Sequence, residues 1–438
     1  MKALNESDAD RISSLPDDVI QSILAFLPVK DGAKTATLSK QWRHNWGATA
    51  KLVFNGGFCQ ISAVEDYVLK ASKLMWEIYK ALLLHEGPIT ELVLEIPGLR
   101  PCTDMDLMML FVSKKSVQKL TLSFYEKRAL EDKISSALFT ARQLSYLRLR
   151  NCEFSAPSWF LGFSKLARLD LYGVHVPSPS NFCEDFLPKC PVLQHLIFVI
   201  QGSDSRKAEL VSPSLKVFES NLWNVCFKHT PFLSTVRIEL MDVYQNDKLS
   251  KYRAYDPDIA AAFSSLPAIE KLIIGGQWMG FLASGKVPSK LPTYLHQLKD
   301  LKLGDILLYR LSEARVLVCL IASSPNLRKL TVVCNCIHAS LPKKRTIDIL
   351  KLLEEHDHPT ASCFQCLEEM SISDVLGMRV ELNLLRFVLA TAPQLRRIFI
   401  KPDGKMDPRK AHKFLKEVTR FKRLSREAEV IYVSKDEN

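Results

Sequence analysis

The chain has 438 residues, 47% apolar and 24% charged, which leaves room for two or three domains or one repeat array and excludes the low-hydrophobicity composition of a disordered chain. A formal charge of +11 favours acidic partners or nucleic acid electrostatically but names neither. Eleven scattered cysteines, an opening with Glu6, Asp8 and Asp10 instead of a secretory signal, and no apolar run near the ~20 residues of a membrane span predict an intracellular protein with reduced thiols and no membrane contact.

Residues 10–50 read as a small helical domain. Val19, Ile20, Ile23, Leu24 and Leu27 recur at helical spacing behind Pro16, Asp17 and Asp18, a proline and two acids that suit a first helical turn. Pro28 ends that helix, a second short segment follows, and Leu38, Trp42 and Trp46 at intervals of four predict one face of a third. About forty residues bury too little surface to be stable alone, so the surplus apolar face is expected to dock onto something.

The order Leu15-Pro16, Ile23-Leu24, Leu27-Pro28-Val29-Lys30-Asp31, Leu38-Ser39-Lys40-Gln41-Trp42-Arg43 resembles an F-box. The resemblance implies binding to a Skp-type adaptor, and through it to a cullin, a RING subunit and a ubiquitin-conjugating enzyme. Carried over position by position, the docking residues would be Leu15, Pro16, Val19, Ile20, Ile23, Leu24, Leu27, Pro28, Leu38 and Trp42.

Residues 51–88 read as a linker containing a helix around 64–84. Across residues 89–362 one phrase, L-x-x-L-x-L, returns with conservative replacements. Its clearest copy is Leu144/Leu147/Leu149, joined by Leu166/Leu169/Leu171, Leu193/Leu196/Phe198, Leu233/Val236/Ile238, Ile269/Leu272/Ile274, Leu298/Leu301/Leu303 and Leu327/Leu330/Val332. Two more, Leu367/Met370/Ile372 and Leu395/Ile398/Ile400, lie beyond, and weaker ones stand at Ile89/Leu92/Leu94, Val117/Leu120/Leu122 and Leu215/Phe218. Pro191, Pro213, Pro231, Pro267, Pro325 and Pro393 precede copies by two residues, so helix, proline turn and strand form the predicted unit. Such units share a core only when stacked. The expected fold is therefore α/β: a three-helix F-box, then an irregular leucine-rich-repeat solenoid with parallel strands inside and helices outside. Loops are predicted over 244–258 and 339–362.

In residues 363–433, Cys366-Leu367-Glu368-Glu369-Met370, Glu381-Leu382, Phe387-Val388-Leu389-Ala390-Thr391-Ala392 and Phe421-Lys422-Arg423-Leu424-Ser425 resemble the FBD region of plant F-box proteins. A helix over 408–421 and a strand over 430–433 would form a C-terminal α/β cap.

Between the apolar positions of the phrase, alternate residues face away from the core and would meet a target. They include Tyr146, Arg148, Arg150, Arg168, Asp170, Tyr172, His195, Lys299, Lys302, Arg328, Lys329, Arg396 and Arg397, a basic face suited to an acidic or phosphorylated protein. The same face could serve a scaffold that binds protein or nucleic acid without a ligase role, although no nucleic-acid motif supports it. No catalytic phrase occurs, and the F-box resemblance implies a non-catalytic receptor subunit of a ubiquitin ligase, with no cofactor expected. Cys334, Cys336, His338, His356, His358, Cys363 and Cys366 have zinc-ligating chemistry, but buried structural cysteines explain such thiols and no metal is expected. The resemblance implies residence in nucleus, cytoplasm or both, and Lys343-Lys344-Arg345 reads as a solvated loop.

Overall fold

A computed structural model describes residues 12, 14–58, 67–83, 85–97, 99, 103–124, 133–201, 208–222, 224–239, 257–264, 266, 268–335, 364–404 and 406–433. The chain divides into two units, Met1–Asp204 and Ser205–Asn438.

The first unit opens with three helices, α1 (Asp17–Phe26), α2 (Val29–Thr35) and α3 (Lys40–Gly47). Pro16 and Pro28 sit at the N-caps of α1 and α2, where a missing N–H costs nothing, and Asp17, Asp18 and Asp31 occupy the first turns. Ser39 caps α3 by accepting the N–H of Trp42, which leaves Leu38 ahead of the helix and off the face expected to join it to Trp42 and Trp46. Ile20, Leu24 and Trp42 form the core, with Leu15, Leu27 and Trp46 against it. Buried Asn45 donates to the Asp17 carboxylate at 2.7 Å while Gln41 donates to the same oxygen at 3.0 Å, fastening α3 to α1. These bonds, Asn45 first, hold the Asp17 carboxyl below the usual value. The carbonyl of Gly47 then accepts the N–H groups of Glu86 and Gly87, tying the module to the first strands.

Those strands are β1 (Lys51–Asn55), β2 (Glu91–Glu95), β3 (Lys119–Ser123), β4 (Tyr146–Arg150), β5 (Arg168–Val174) and β6 (His195–Ile200), parallel and in chain order, with α4 (Tyr67–Leu83) and α5 (Thr103–Lys114) as crossovers. β1 lies inside the stretch read as linker. Thr49, buried where the phrase has its first leucine, disguises the copy Thr49/Leu52/Phe54. The repeated leucines stack across the ladder: Leu120 opposes Leu147, Leu147 opposes Leu169, and Leu169 opposes Leu196. All are fully buried, each contributing roughly 1.5–3 kcal/mol.

In the second unit a parallel run takes β8 (Val217–Ser220), β10 (Thr235–Ile238), β11 (Lys271–Ile274), β12 (Asp300–Ile306), β13 (Lys329–Cys334), β14 (Glu369–Val375), β15 (Arg397–Pro402) and β16 (Glu429–Tyr432). All twelve apolar phrases thus reach strands. The predicted unit holds where α8 (Leu311–Ala322) precedes Pro325 and α9 (Arg379–Thr391) precedes Pro393. It fails at Pro213 and Pro231, which follow β7 (Ala208–Val211) and β9 (Val225–His229), a separate parallel pair in place of helices. Buried and less buried residues alternate along Ala208–Val211 and the start of Val225–His229, the period of extended chain and not of a helix. Two further helices, α6 (Ile259–Ser264) and α7 (Gly276–Leu282), flank β11.

Asn151, Gly173, Asp305 and Asp374 take left-handed conformations at or just beyond strand ends, and register shifts fall at Tyr172/Val174, Leu303/Ile306 and Ser373/Val375. Gly, Asn and Asp tolerate that conformation best. Glu313 and Glu381, each third in its helix, turn inward and accept the N–H groups of Leu307, and of Leu376 and Met378. Burial pushes both carboxyls up to about 7. At the end, α10 (Pro408–Val418) buries Ala411, Phe414 and Val418 and packs on α9, while β16 closes on β15, as the predicted cap requires.

Candidate functional site

On the N-terminal module, burial divides the ten expected docking residues. Ile20, Leu24 and Trp42 are at most 3% exposed and form the module's own core, so in the folded module they support the surface and are not part of it. Pro16, Val19, Ile23 and Leu38 are exposed, and Leu15, Leu27 and Pro28 are half-buried. A further apolar residue outside those ten, Phe26, is 88% exposed. It completes a row with Val19 and Ile23 at the spacing i, i+4, i+7, so the helical period itself could have found it.

The strand faces are less basic than their arginines and lysines predict, because neighbouring strands supply acids in register. Lys271 meets Asp300 at 2.9 Å, and Glu369 stands between Lys329 at 2.6 Å and Arg397 at 3.1 Å. Lys302 pairs with Glu239 at 3.0 Å, Lys299 with Glu270 at 3.1 Å and Arg328 with Glu368 at 3.6 Å. In the first unit Glu91 lies 2.9 Å from Lys51 and 3.9 Å from Lys119. Arg396 is exposed ahead of β15, and His195 is half-buried at the start of β6.

Tyr146, Arg148, Arg150, Arg168 and Tyr172 do come together, around Asp170. That carboxylate is wholly buried and accepts from Arg148 at 2.9 Å, Arg168 at 3.0 Å and the Tyr146 hydroxyl at 3.1 Å. Burial, with the Asp170 charge beside it, pushes the Tyr146 hydroxyl up to about 12, so it stays a neutral donor. The Arg148 guanidinium carbon lies 5.7 Å from the ring centre of Tyr146 and 5.8 Å from that of Tyr172, while Arg150 stacks on Tyr172 at 5.3 Å.

A run of exposed cations, Arg409, Lys410, Lys413 and Lys416 on α10 followed by Arg420, Lys422 and Arg426, makes no ion pair among the described residues. Of the zinc-type residues, Cys334 is buried at the end of β13 and the half-buried Cys366 sulfur lies 4.0 Å from Asn326 Oδ1. The other five, the Lys343-Lys344-Arg345 run and nearly all of both expected loops lie outside the described residues.

Comparison with known proteins joins these features. The F-box domain model matches residues 12–47, and a leucine-rich-repeat model named for the FBD-associated F-box protein At5g56370 matches residues 106–251. The F-box/FBD/LRR-repeat protein At1g13570 of Arabidopsis thaliana is 28% identical over 433 residues, covering 97% of this chain and 98% of that protein. The Arabidopsis FBD-associated F-box proteins At4g10400 and At5g56370 are 24% and 23% identical, over 91% and 97% of this chain and 94% and 100% of their own lengths. The helical module lies at the matched F-box and ordered parallel strands run through the matched repeats, so over nearly its whole length the chain is similar to F-box proteins with FBD-associated leucine-rich repeats.

Proposed function

We propose that this chain is the substrate-recognition subunit of a Skp-cullin-F-box ubiquitin ligase. The observation that carries the reading is the exposed row Val19, Ile23 and Phe26, with Leu38 and Pro16, on a module whose own core is already closed. Apolar surface of this kind gains most by burial against a partner, and a Skp-type adaptor is the partner that an F-box takes. The adaptor links the chain to a cullin and a RING subunit, and the strand faces hold a target protein near the conjugating enzyme. The chain supplies proximity, while bond formation belongs to other subunits, so it acts without catalysis or cofactor of its own. Its place of work is the nucleus, the cytoplasm or both.

Co-expression with Skp-type adaptors tests this. A stable complex that also retains a cullin supports the ligase role, and failure of a folded chain to bind any of several adaptor isoforms refutes it. The exposed cations of α10 favour one second reading, a repeat scaffold that binds nucleic acid. RNA binding that falls steeply with salt and persists without residues 10–50 would support that alternative.

A further inference from the structure

We infer that the face of β4 and β5 around Asp170 is a binding site for a phosphorylated side chain of the target protein. The inference rests on the receptor reading above and adds the chemistry of what is received.

The site is a block of six side chains. Register places Tyr146 beside Arg168, Arg148 beside Asp170 and Arg150 beside Tyr172, and the period of two puts all six on the face opposite Leu147, Leu149, Leu169 and Leu171. A buried carboxylate is costly unless its lone pairs are used, and Asp170 uses them on two arginines and a tyrosine. It thereby occupies one edge of each guanidinium. Nη1 of Arg148 and both terminal nitrogens of Arg168 make no hydrogen bond among the described residues, and those side chains are 33% and 41% exposed.

Elsewhere on the strand faces lysine and acid largely cancel, as in Lys271 with Asp300. Here Arg148 and Arg168 share Asp170 and Arg150 stacks on Tyr172 beside them, so three positive charges face one negative charge, with a neutral Tyr146 among them. The rings of Tyr146 and Tyr172 hold the guanidinium planes, so little side-chain freedom remains to be lost on binding. A phosphate monoester, with close to two negative charges and three acceptor oxygens, matches that charge and can engage several forks at once. A carboxylate has half the charge and fills one fork. Asp170 is a positioning residue: it aims Arg148 and Arg168 and touches no ligand.

The test uses the purified full chain bound to its adaptor. The probes are a degenerate peptide library with one central phosphoserine, phosphothreonine or phosphotyrosine, its unphosphorylated counterpart, a glutamate version and inorganic phosphate. Preference for a phosphorylated library, weakened about tenfold or more by Arg148→Gln or Arg150→Gln, supports the site. Asp170→Asn separates positioning from simple charge. It adds a positive charge, so attraction alone tightens binding, whereas loss of aim weakens it. Binding unaffected by the arginine variants overturns the site, tighter binding by Asp170→Asn overturns the positioning role, and inorganic phosphate binding as well as any peptide overturns the protein side chain as its source. Unchanged melting of Arg150→Gln shows that the fold is intact, and retained adaptor in each sample shows that the ligase reading stands when the phosphate site fails.

Discussion

Phe26→Ala should separate docking from folding on the N-terminal module. At 88% exposure the ring contributes almost nothing to the module's core, so its removal should change stability by less than about 0.5 kcal/mol. If the ring is buried against the adaptor, its loss costs about 1.5–3 kcal/mol of binding, or roughly a 10- to 150-fold weaker Kd. Leu24→Ala should behave oppositely. Leu24 is 2% exposed beside Ile20 and Trp42, and the cavity left behind should cost about 2–5 kcal/mol of stability, with binding lost only as the module unfolds. Titration of each variant against labelled adaptor, with thermal unfolding of the same samples, checks both. A folded Phe26→Ala chain with the wild-type Kd would refute the assignment of this row as the docking surface.

Two further predictions concern the second unit. Glu313 and Glu381 have carboxyls pushed up to about 7 by burial, against an ordinary value of 4.5. The folded state therefore binds protons more tightly than the unfolded one, and this stabilisation is complete below pH 4.5, declines as pH rises and is gone above about 7. The melting temperature should rise between pH 8 and pH 5.5, and the double variant Glu313→Gln, Glu381→Gln should lose most of that rise; an unchanged pH profile would count against it. Glu369→Ala removes two partly exposed ion pairs and should destabilise by about 0.4–2 kcal/mol in dilute buffer, with the difference shrinking in ~1 M salt. Denaturant titration at both salt levels measures it.

The leucine phrase was legible because its content is local. Period-two alternation after a fixed leucine is written in single segments such as Leu144/Leu147/Leu149, and the strands follow it even where the outer element departs from plan, as at β7 and β9. Thr49 shows the limit: a polar residue in a leucine position is recognised only after burial is known. The same limit applies to the module, where helical spacing marked Val19, Ile20, Ile23 and Leu24 alike as apolar, and only packing assigned Ile20 and Leu24 to the core and left Val19 and Ile23 outside.

By itself the sequence determined the three helices, the twelve phrases that become strands and the closing helix and strand, since each depends on contacts between residues a few positions apart. Tertiary structure alone decided the charge of the strand faces. Whether Lys271 meets Asp300, or Arg148 and Arg168 converge on Asp170, depends on the register between strands some twenty to thirty residues apart, and among the described residues those partners leave paired charges on strands of the second unit and an arginine cluster around Asp170 in the first.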